Sequence, residues 1–139
     1  MRPLLVGEAN PYGGDPTFAL YPYPERASGD RLCRLVMGLE PREYLRRFDR
    51  VNLCPEKWSA PLSRINAQRI RAGDHERFVL LGTKVADAFG FKKVEPFGYA
   101  VEGDKSFALL PHPSGLCREW NKPGAFDRAR GVLREAGVL

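Results

Sequence analysis

Cysteine is scarce in this chain, and Cys33, Cys54 and Cys117 lie far apart with no Cys-x-x-Cys pair among them. Such spacing suits neither a zinc site nor a disulfide framework. Three thiols also fall short of the four thiolates that hold an iron–sulfur cluster. Buried or incidental thiols are therefore expected, with no metal and no cofactor. Long hydrophobic runs are missing as well. No apolar stretch approaches the length of a membrane span, and the opening Met1-Arg2-Pro3-Leu4-Leu5-Val6 has neither the length nor the cleavage site of a signal peptide. A cytoplasmic protein without membrane contact is expected. Internal repeats and low-complexity linkers are absent, so residues 1–139 read as a single, monomeric domain. That length can bury one core without staples.

The chain does carry positive charge. Its 22 Lys and Arg exceed 17 Asp and Glu, and the pI is near 9.3. A weakly basic face of this kind can meet phosphates, although many soluble proteins share that pI.

Short apolar runs alternate with helix-period segments, the pattern of a parallel sheet covered on both faces. Strands are predicted at Pro3 to Glu8, Phe48 to Cys54, Arg77 to Gly82 and Ser106 to Pro111. They are nearly all apolar, as buried parallel strands are. The expected fold is thus α/β: a three-layer α/β/α sandwich with a central, mainly parallel four-stranded sheet. Ser28 is a plausible N-cap for a helix carrying Leu32, Leu35, Val36 and Leu39, and Pro41 to Arg47 reads as a second helical piece. Leu62 to Ala72 is helical in pattern but mostly polar. Thr83 opens a short helix that stops at Gly90, and Phe126, Ala129, Leu133 and Ala136 form the apolar face of a last helix.

Proline and glycine concentrate in Asn10 to Gly29 and in Pro111 to Gly124, both beginning at predicted strand ends. Ligands of open α/β sheets bind there. The first strand runs Leu4-Leu5-Val6-Gly7-Glu8-Ala9-Asn10-Pro11-Tyr12, and the last runs Leu109-Leu110-Pro111-His112-Pro113-Ser114-Gly115-Leu116. Together they resemble the two active-site motifs of the uracil-DNA glycosylase superfamily, a Gly-x-x-Pro loop after the first strand and a His-Pro-Ser loop after the last. The likeness extends to Tyr21 through Leu32, similar to the family's aromatic, Gly-Arg-Ser/Ala-Gly and helix pattern. Val51-Asn52-Leu53-Cys54-Pro55 resembles its base-reading strand, and Val79-Leu80-Leu81-Gly82-Thr83 its third strand and turn.

The resemblance implies a DNA glycosylase hydrolysing the N-glycosidic bond of uracil, or of another deaminated or modified base, in single- or double-stranded DNA. Such chemistry leaves negative charge on the base and positive charge on the sugar. The base must also leave the stack for a pocket with a stacking platform and a selective polar group. His112 is the candidate hydrogen-bond donor to the departing base. Asn52, whose amide offers a donor and an acceptor, is the candidate reader of the base edge. Asn10 is the candidate for holding the water, but it stands three residues after Gly7, where family members usually place Asp, Asn or Ala two after the Gly. Ala9 is the alternative equivalent.

Glu8 is a further candidate base, with a structural role as its alternative. Tyr12 stands where some members exclude the thymine methyl, and Tyr23 is the stacking candidate ahead of Phe18 and Tyr21; an ordinary loop packing is the plainer reading of each. Ser114, Gly115 and Leu116 would meet DNA, the first two at phosphate and Leu116 in the gap left by the extruded base. Arg118, Lys122, Arg26 and Lys84 are phosphate-contact candidates. Asp15 and Asp30 are expected to form a turn and cap a helix. Trp120 and Asn121 carry no role legible in the sequence. An alternative stands beside hydrolysis: a glycosylase-fold protein that binds DNA or a nucleotide without cleaving it, or that acts in another base-modification pathway.

Overall fold

The computed structural model describes residues 1–10, 15–93 and 95–139. It is an α/β structure with a five-stranded mixed sheet in the order β2-β1-β3-β5-β4. The strands are β1 (Leu4–Ala9), β2 (Asp49–Cys54), β3 (Arg77–Leu81), β4 (Gly98–Glu102) and β5 (Lys105–Leu110). The first three and β5 run parallel, with Leu5 opposite Arg50 and Val79, and Val79 opposite Ala108. These four match the predicted strands to within a residue or so at each end.

The four-stranded expectation is corrected by β4, which pairs antiparallel with β5 from Gly98↔Leu109 to Glu102↔Lys105. Gly103 and Asp104 close that hairpin, Gly103 at φ +62°, as a two-residue turn with Gly first allows. β4 lies at the sheet edge, and Tyr99, Val101 and Glu102 are exposed. It therefore lacks the continuous apolar run that marks the buried strands.

The helices are α1 (Ser28–Asp30), which continues as a π-helical stretch over Arg31–Val36, then α2 (Pro41–Arg47), α3 (Ala60–Arg71), α4 (Thr83–Ala88) and α5 (Ala125–Glu135). Ala27 and Gly82 occupy the cap positions, so Ser28 and Thr83 each begin their helix instead of capping it.

Strand alternation divides the core in two. Leu5, Val79, Leu81, Ala108 and Leu110 pack with Leu32, Val36, Tyr44, Ala129 and Leu133 from the continuation of α1, α2 and α5. On the other face, Val6, Phe78, Leu80, Phe107 and Leu109 pack with Ala67, Val85 and Phe89, from α3, α4 and the residue after it. A connection that leaves β1 on one face to reach β2, and returns to β3 on the other, opens a crevice where the strand order reverses. That reversal falls at β1, between β2 and β3. Among the described residues no helix is long and apolar enough to cross a membrane.

Candidate functional site

The carboxyl ends of β1 and β2, together with the segment after β5, open onto a cavity of about 860 Å³. Glu8, Asn10, Tyr23, Asn52 and His112 all line it. Five of the residues singled out in the sequence thus come to one place, although Glu8 and His112 stand toward opposite ends of the chain. Tyr12 lies outside the described residues.

Asn52 reaches the cavity because Gly7 lies directly across the β1–β2 ladder from it. A Cβ on Gly7 would stand 2.4 Å from Asn52 Oδ1 and 3.2 Å from the Leu20 side chain. Glycine is the residue that lets the amide lean over β1. Val51 and Leu53 pack toward α3, so alternation turns Arg50 and Asn52 to the opposite face. Among the described residues Asn52 makes no side-chain hydrogen bond, leaving its donor and acceptor to the cavity.

The opposite wall is the stretch 15–29, tied to β2 by Arg50 and to α2 by Tyr44, and packed closely on itself at Gly29. Arg50 Nη1 donates to the carbonyls of Thr17 (3.2 Å) and Ala19 (2.8 Å), with its guanidinium 5.6 Å from the Tyr21 ring centre. The buried Tyr44 hydroxyl donates to Leu20 O at 2.8 Å. Gly29 packs so closely that a Cβ there would lie 2.3 Å and 2.1 Å from the carbonyl oxygens of Leu20 and Tyr21. On this wall the rings of Phe18, Tyr21 and Tyr23 follow one another at 5.3 and 5.8 Å. Tyr23 is 55 % exposed at the rim.

Two acids in this stretch organise the backbone. Asp15 accepts from Thr17 N–H at 2.9 Å, capping a 3-10 turn over Pro16–Phe18. Asp30 accepts Arg26 N–H at 2.9 Å and takes both Nε–H and Nη2–H of Arg34 at 2.8 Å. The Arg34 guanidinium holds the Asp30 carboxyl below the usual carboxylate range. Asp30 thereby secures the left-handed backbone of Arg26 (φ +70°) beside the cavity.

Asn10 is buried, 5 % exposed, and its Nδ2 donates to Asp15 O at 3.3 Å. The amide thus ties the end of β1 to the start of the 15–29 wall while bordering the cavity.

His112 carries the most informative geometry. Its Nδ1 accepts the Ser114 N–H at 3.1 Å, which places the proton of the neutral ring on Nε2. Nε2 lies 3.4 Å from Glu8 Oε2, and Lys84 Nζ lies 3.9 Å from Glu8 Oε1. Burial lowers the imidazole pKa; Glu8 pulls it upward and Lys84 pushes it down, and the net shift is downward from 6.5. The ring is accordingly neutral at pH 7. A second cavity of about 330 Å³ lies beside the same Glu8–His112 pair, next to Lys84 and Cys117.

Beyond His112 the loop turns outward. Leu116 N–H donates to Ser114 Oγ at 3.1 Å, and Leu116 itself is 92 % exposed. Gly115 and Arg118 are exposed too, Arg118 opening a 3-10 turn over Arg118–Asn121. Ser114, Gly115, Leu116 and Arg118 do not line the cavity.

Three residues enter the site without a role in the sequence reading. Trp58 lines the large cavity, with Lys84 Nζ 5.8 Å from the centre of its ring system. Arg31 Nε donates to Pro113 O at 2.9 Å, and Trp120 Nε1 donates to His112 O at 2.8 Å. The available signal for Trp58 was an aromatic in the loop directly after β2. Among the described residues no group of three or more His, Cys, Asp or Glu is placed to hold a metal ion.

No protein-family model matches the chain, and a search of curated proteins finds no match.

Proposed function

We propose that the protein is a hydrolytic DNA glycosylase, removing uracil or another deaminated or modified base from DNA in a cytoplasmic repair role. The observation that carries this reading is the His112 ring, whose accepted Ser114 N–H leaves a single N–H on Nε2, beside the Glu8 carboxylate in the lining of the cavity. The departing base gathers negative charge on a carbonyl oxygen, and a neutral imidazole held in a fixed orientation beside it can stabilise that charge by donating a hydrogen bond. Asn52 supplies a donor and an acceptor for the base edge. The Glu8 carboxylate, beside His112, bears the charge that favours a cationic sugar and can orient or deprotonate the attacking water. Tyr23 offers a stacking face at the rim. Leu116, held out into solvent, is shaped to fill the space an extruded base vacates, with Ser114, Gly115 and Arg118 toward the phosphates. Helices packed on both sheet faces support reading the fold as a three-layer α/β/α sandwich of the uracil-DNA glycosylase kind.

The test is incubation with oligonucleotides carrying uracil, hypoxanthine, xanthine or 5-hydroxymethyluracil, followed by alkaline cleavage at abasic sites. Strand scission with at least one substrate, lost in His112→Ala, is the expected result. DNA binding without scission on any of them would instead favour a non-hydrolytic binder. The engagement of the Asn10 amide with Asp15 O is the observation that favours that second reading, since it draws one donor away from a water.

A further inference from the structure

The two peptide planes after His112 have few handles. Pro113 has no N–H, so the plane between His112 and Pro113 can be held only through the His112 carbonyl oxygen. That oxygen accepts the indole Nε1–H of Trp120 at 2.8 Å. In the next plane, Pro113 O accepts Arg31 Nε–H at 2.9 Å, and the N–H of Ser114 turns back to His112 Nδ1. The ring is thus aimed by its own main chain, and that main chain is gripped from α5's side by Trp120 and from α1's continuation by Arg31.

Trp120 is built to hold still. It is 4 % exposed, stacked on Phe126 at 5.6 Å and edge-on to Phe97 at 5.4 Å, and the Arg128 guanidinium covers Phe97 at 4.7 Å. A buried indole N–H needs an acceptor, and the acceptor here is the carbonyl of the residue that faces the Glu8 carboxylate. Simple packing would be served equally by phenylalanine; the N–H is the part that packing leaves unexplained.

We infer that Trp120 is a positioning residue for His112, its Nε1–H fixing the His112–Pro113 plane so that Ser114 N–H meets Nδ1 and the ring proton stays on Nε2, beside Glu8. The inference rests on His112 acting as the donor to the leaving base. Without the indole N–H, the His112–Pro113 plane can tilt against the Pro113–Ser114 plane that Arg31 still holds, the bond from Ser114 N–H to Nδ1 loosens, and the proton distributes over both nitrogens. Excision then slows because the donor is absent or misaimed in part of the population, while substrate binding by Asn52 and the aromatic wall persists.

Trp120→Phe tests this, since it keeps the stack and deletes one N–H. The chain has two histidines, so ¹⁵N-histidine labelling with His75→Gln as the assignment control isolates the His112 ring. Parent protein is expected to show one tautomer, with the proton on Nε2, and Trp120→Phe a mixture. Excision by Trp120→Phe should fall by about tenfold to a hundredfold in kcat with KM little changed, the loss expected when a catalytic group is slightly misplaced. Phe126→Leu loosens the same stack but spares the N–H, and should leave the tautomer of the parent. An unmixed Nε2–H tautomer in Trp120→Phe, or mixing of equal extent in Phe126→Leu, overturns the inference. A tautomer change in Trp120→Phe, in a parent that excises no base, would uphold the positioning and refute the glycosylase reading instead.

Discussion

His112 Nε2 and Glu8 Oε2 stand 3.4 Å apart, joining the segment after β5 to the end of β1 across the tip of the intervening β3. Gly82, directly after β3, turns the chain beneath this contact at φ +103°, a conformation that favours glycine; a Cβ there would make ordinary van der Waals contact, 3.4 Å from His112 Cβ and 3.7 Å from Glu8 Oε2. The pair has opposite tasks in the proposed reaction, donation to the base by His112 and support of the sugar and water by Glu8. His112→Ala should lower base excision by at least about a hundredfold, the typical loss for one preorganised donor, with the far-ultraviolet circular dichroism unchanged. Glu8→Gln should reduce single-turnover excision while leaving binding of a substrate oligonucleotide intact. Parental excision rates in both variants would remove the pair from the mechanism.

The pH dependence follows from the same pair. Burial holds the His112 pKa below its ordinary 6.5, so as pH falls through 6.5 the unfolded chain takes a proton before the folded one does. This group therefore contributes nothing to stability differences above that range, destabilises the fold progressively as pH drops below about 6.5, and levels off below the folded pKa. Protonating Nδ1 also ends its acceptance of Ser114 N–H, so excision should fail on the same acid limb. Because Glu8 pulls the pKa upward, Glu8→Gln should move the His112 titration to lower pH. NMR titration of the ring reads it directly, and an upward shift would show that the Glu8 carboxylate does not stabilise the imidazolium.

Gly7 and Asn52 provide a steric test. Gly7→Ala places a methyl group 2.4 Å from Asn52 Oδ1 and 3.2 Å from the Leu20 side chain, so the amide must move. The expected result is a loss of stability of about 1–3 kcal/mol, the usual cost of overpacking, together with loss of base selectivity. Asn52→Asp keeps the shape, removes the amide donor, and should weaken uracil excision nearly as much as His112→Ala. Urea denaturation and excision assays read the two effects separately.

Much of this arrangement was legible in the chain. The four parallel strands announce themselves as short apolar runs ended by Gly or Pro, and Asn52 stands out as an amide inside one of them. β4 was not legible as a strand, because an edge strand with Tyr99 and Val101 in solvent needs no apolar run; its one local mark was the Gly103-Asp104 turn. Trp58 and Trp120 were harder still. Each acts through a partner brought near by the fold, Trp120 on the carbonyl of His112 and Trp58 across a cavity whose other wall is the 15–29 stretch. Gly7 was visible as a glycine in the first predicted strand, but its partner Asn52 depends on the β1–β2 register.

The thiols offer a check on the core. Cys33 and Cys54 are buried and Cys117 is half-buried. Burial, reinforced by Asp30 and Glu40, pushes the Cys33 thiol up to about 11, so it is protonated and unreactive at neutral pH. Cys54 is further occupied by the Ser59 backbone, accepting its N–H at 3.3 Å. A thiol reagent at pH 8 should modify Cys117 first in the native protein and reach Cys33 only on unfolding. Mass spectrometry of the modified peptides measures this; early labelling of Cys33 would show that the packing between α1's continuation and the sheet opens readily in the native state.

Asn10 borders the cavity at the end of β1, and its hydrogen bond to Asp15 O bears on what substitutions should do. Its Nδ2 donates to Asp15 O, a role a carboxylate cannot fill. Asn10→Asp therefore sets a negative oxygen against a carbonyl oxygen at a buried position, and the loss of the bond combines with the cost of burying the charge. The variant should unfold at lower urea and excise bases more slowly, despite carrying a carboxylate able to accept a proton from water. Asn10→Ala loses the same bond without the buried charge and should be the milder of the two in stability. If Asn10 also holds the water, Asn10→Ala should lower the single-turnover rate more than it weakens substrate binding. Should Ala9 be the true equivalent, both variants will track stability alone, with single-turnover rates near the parent wherever the protein stays folded. A rate increase in Asn10→Asp would show that the side chain leaves Asp15 and turns to the water.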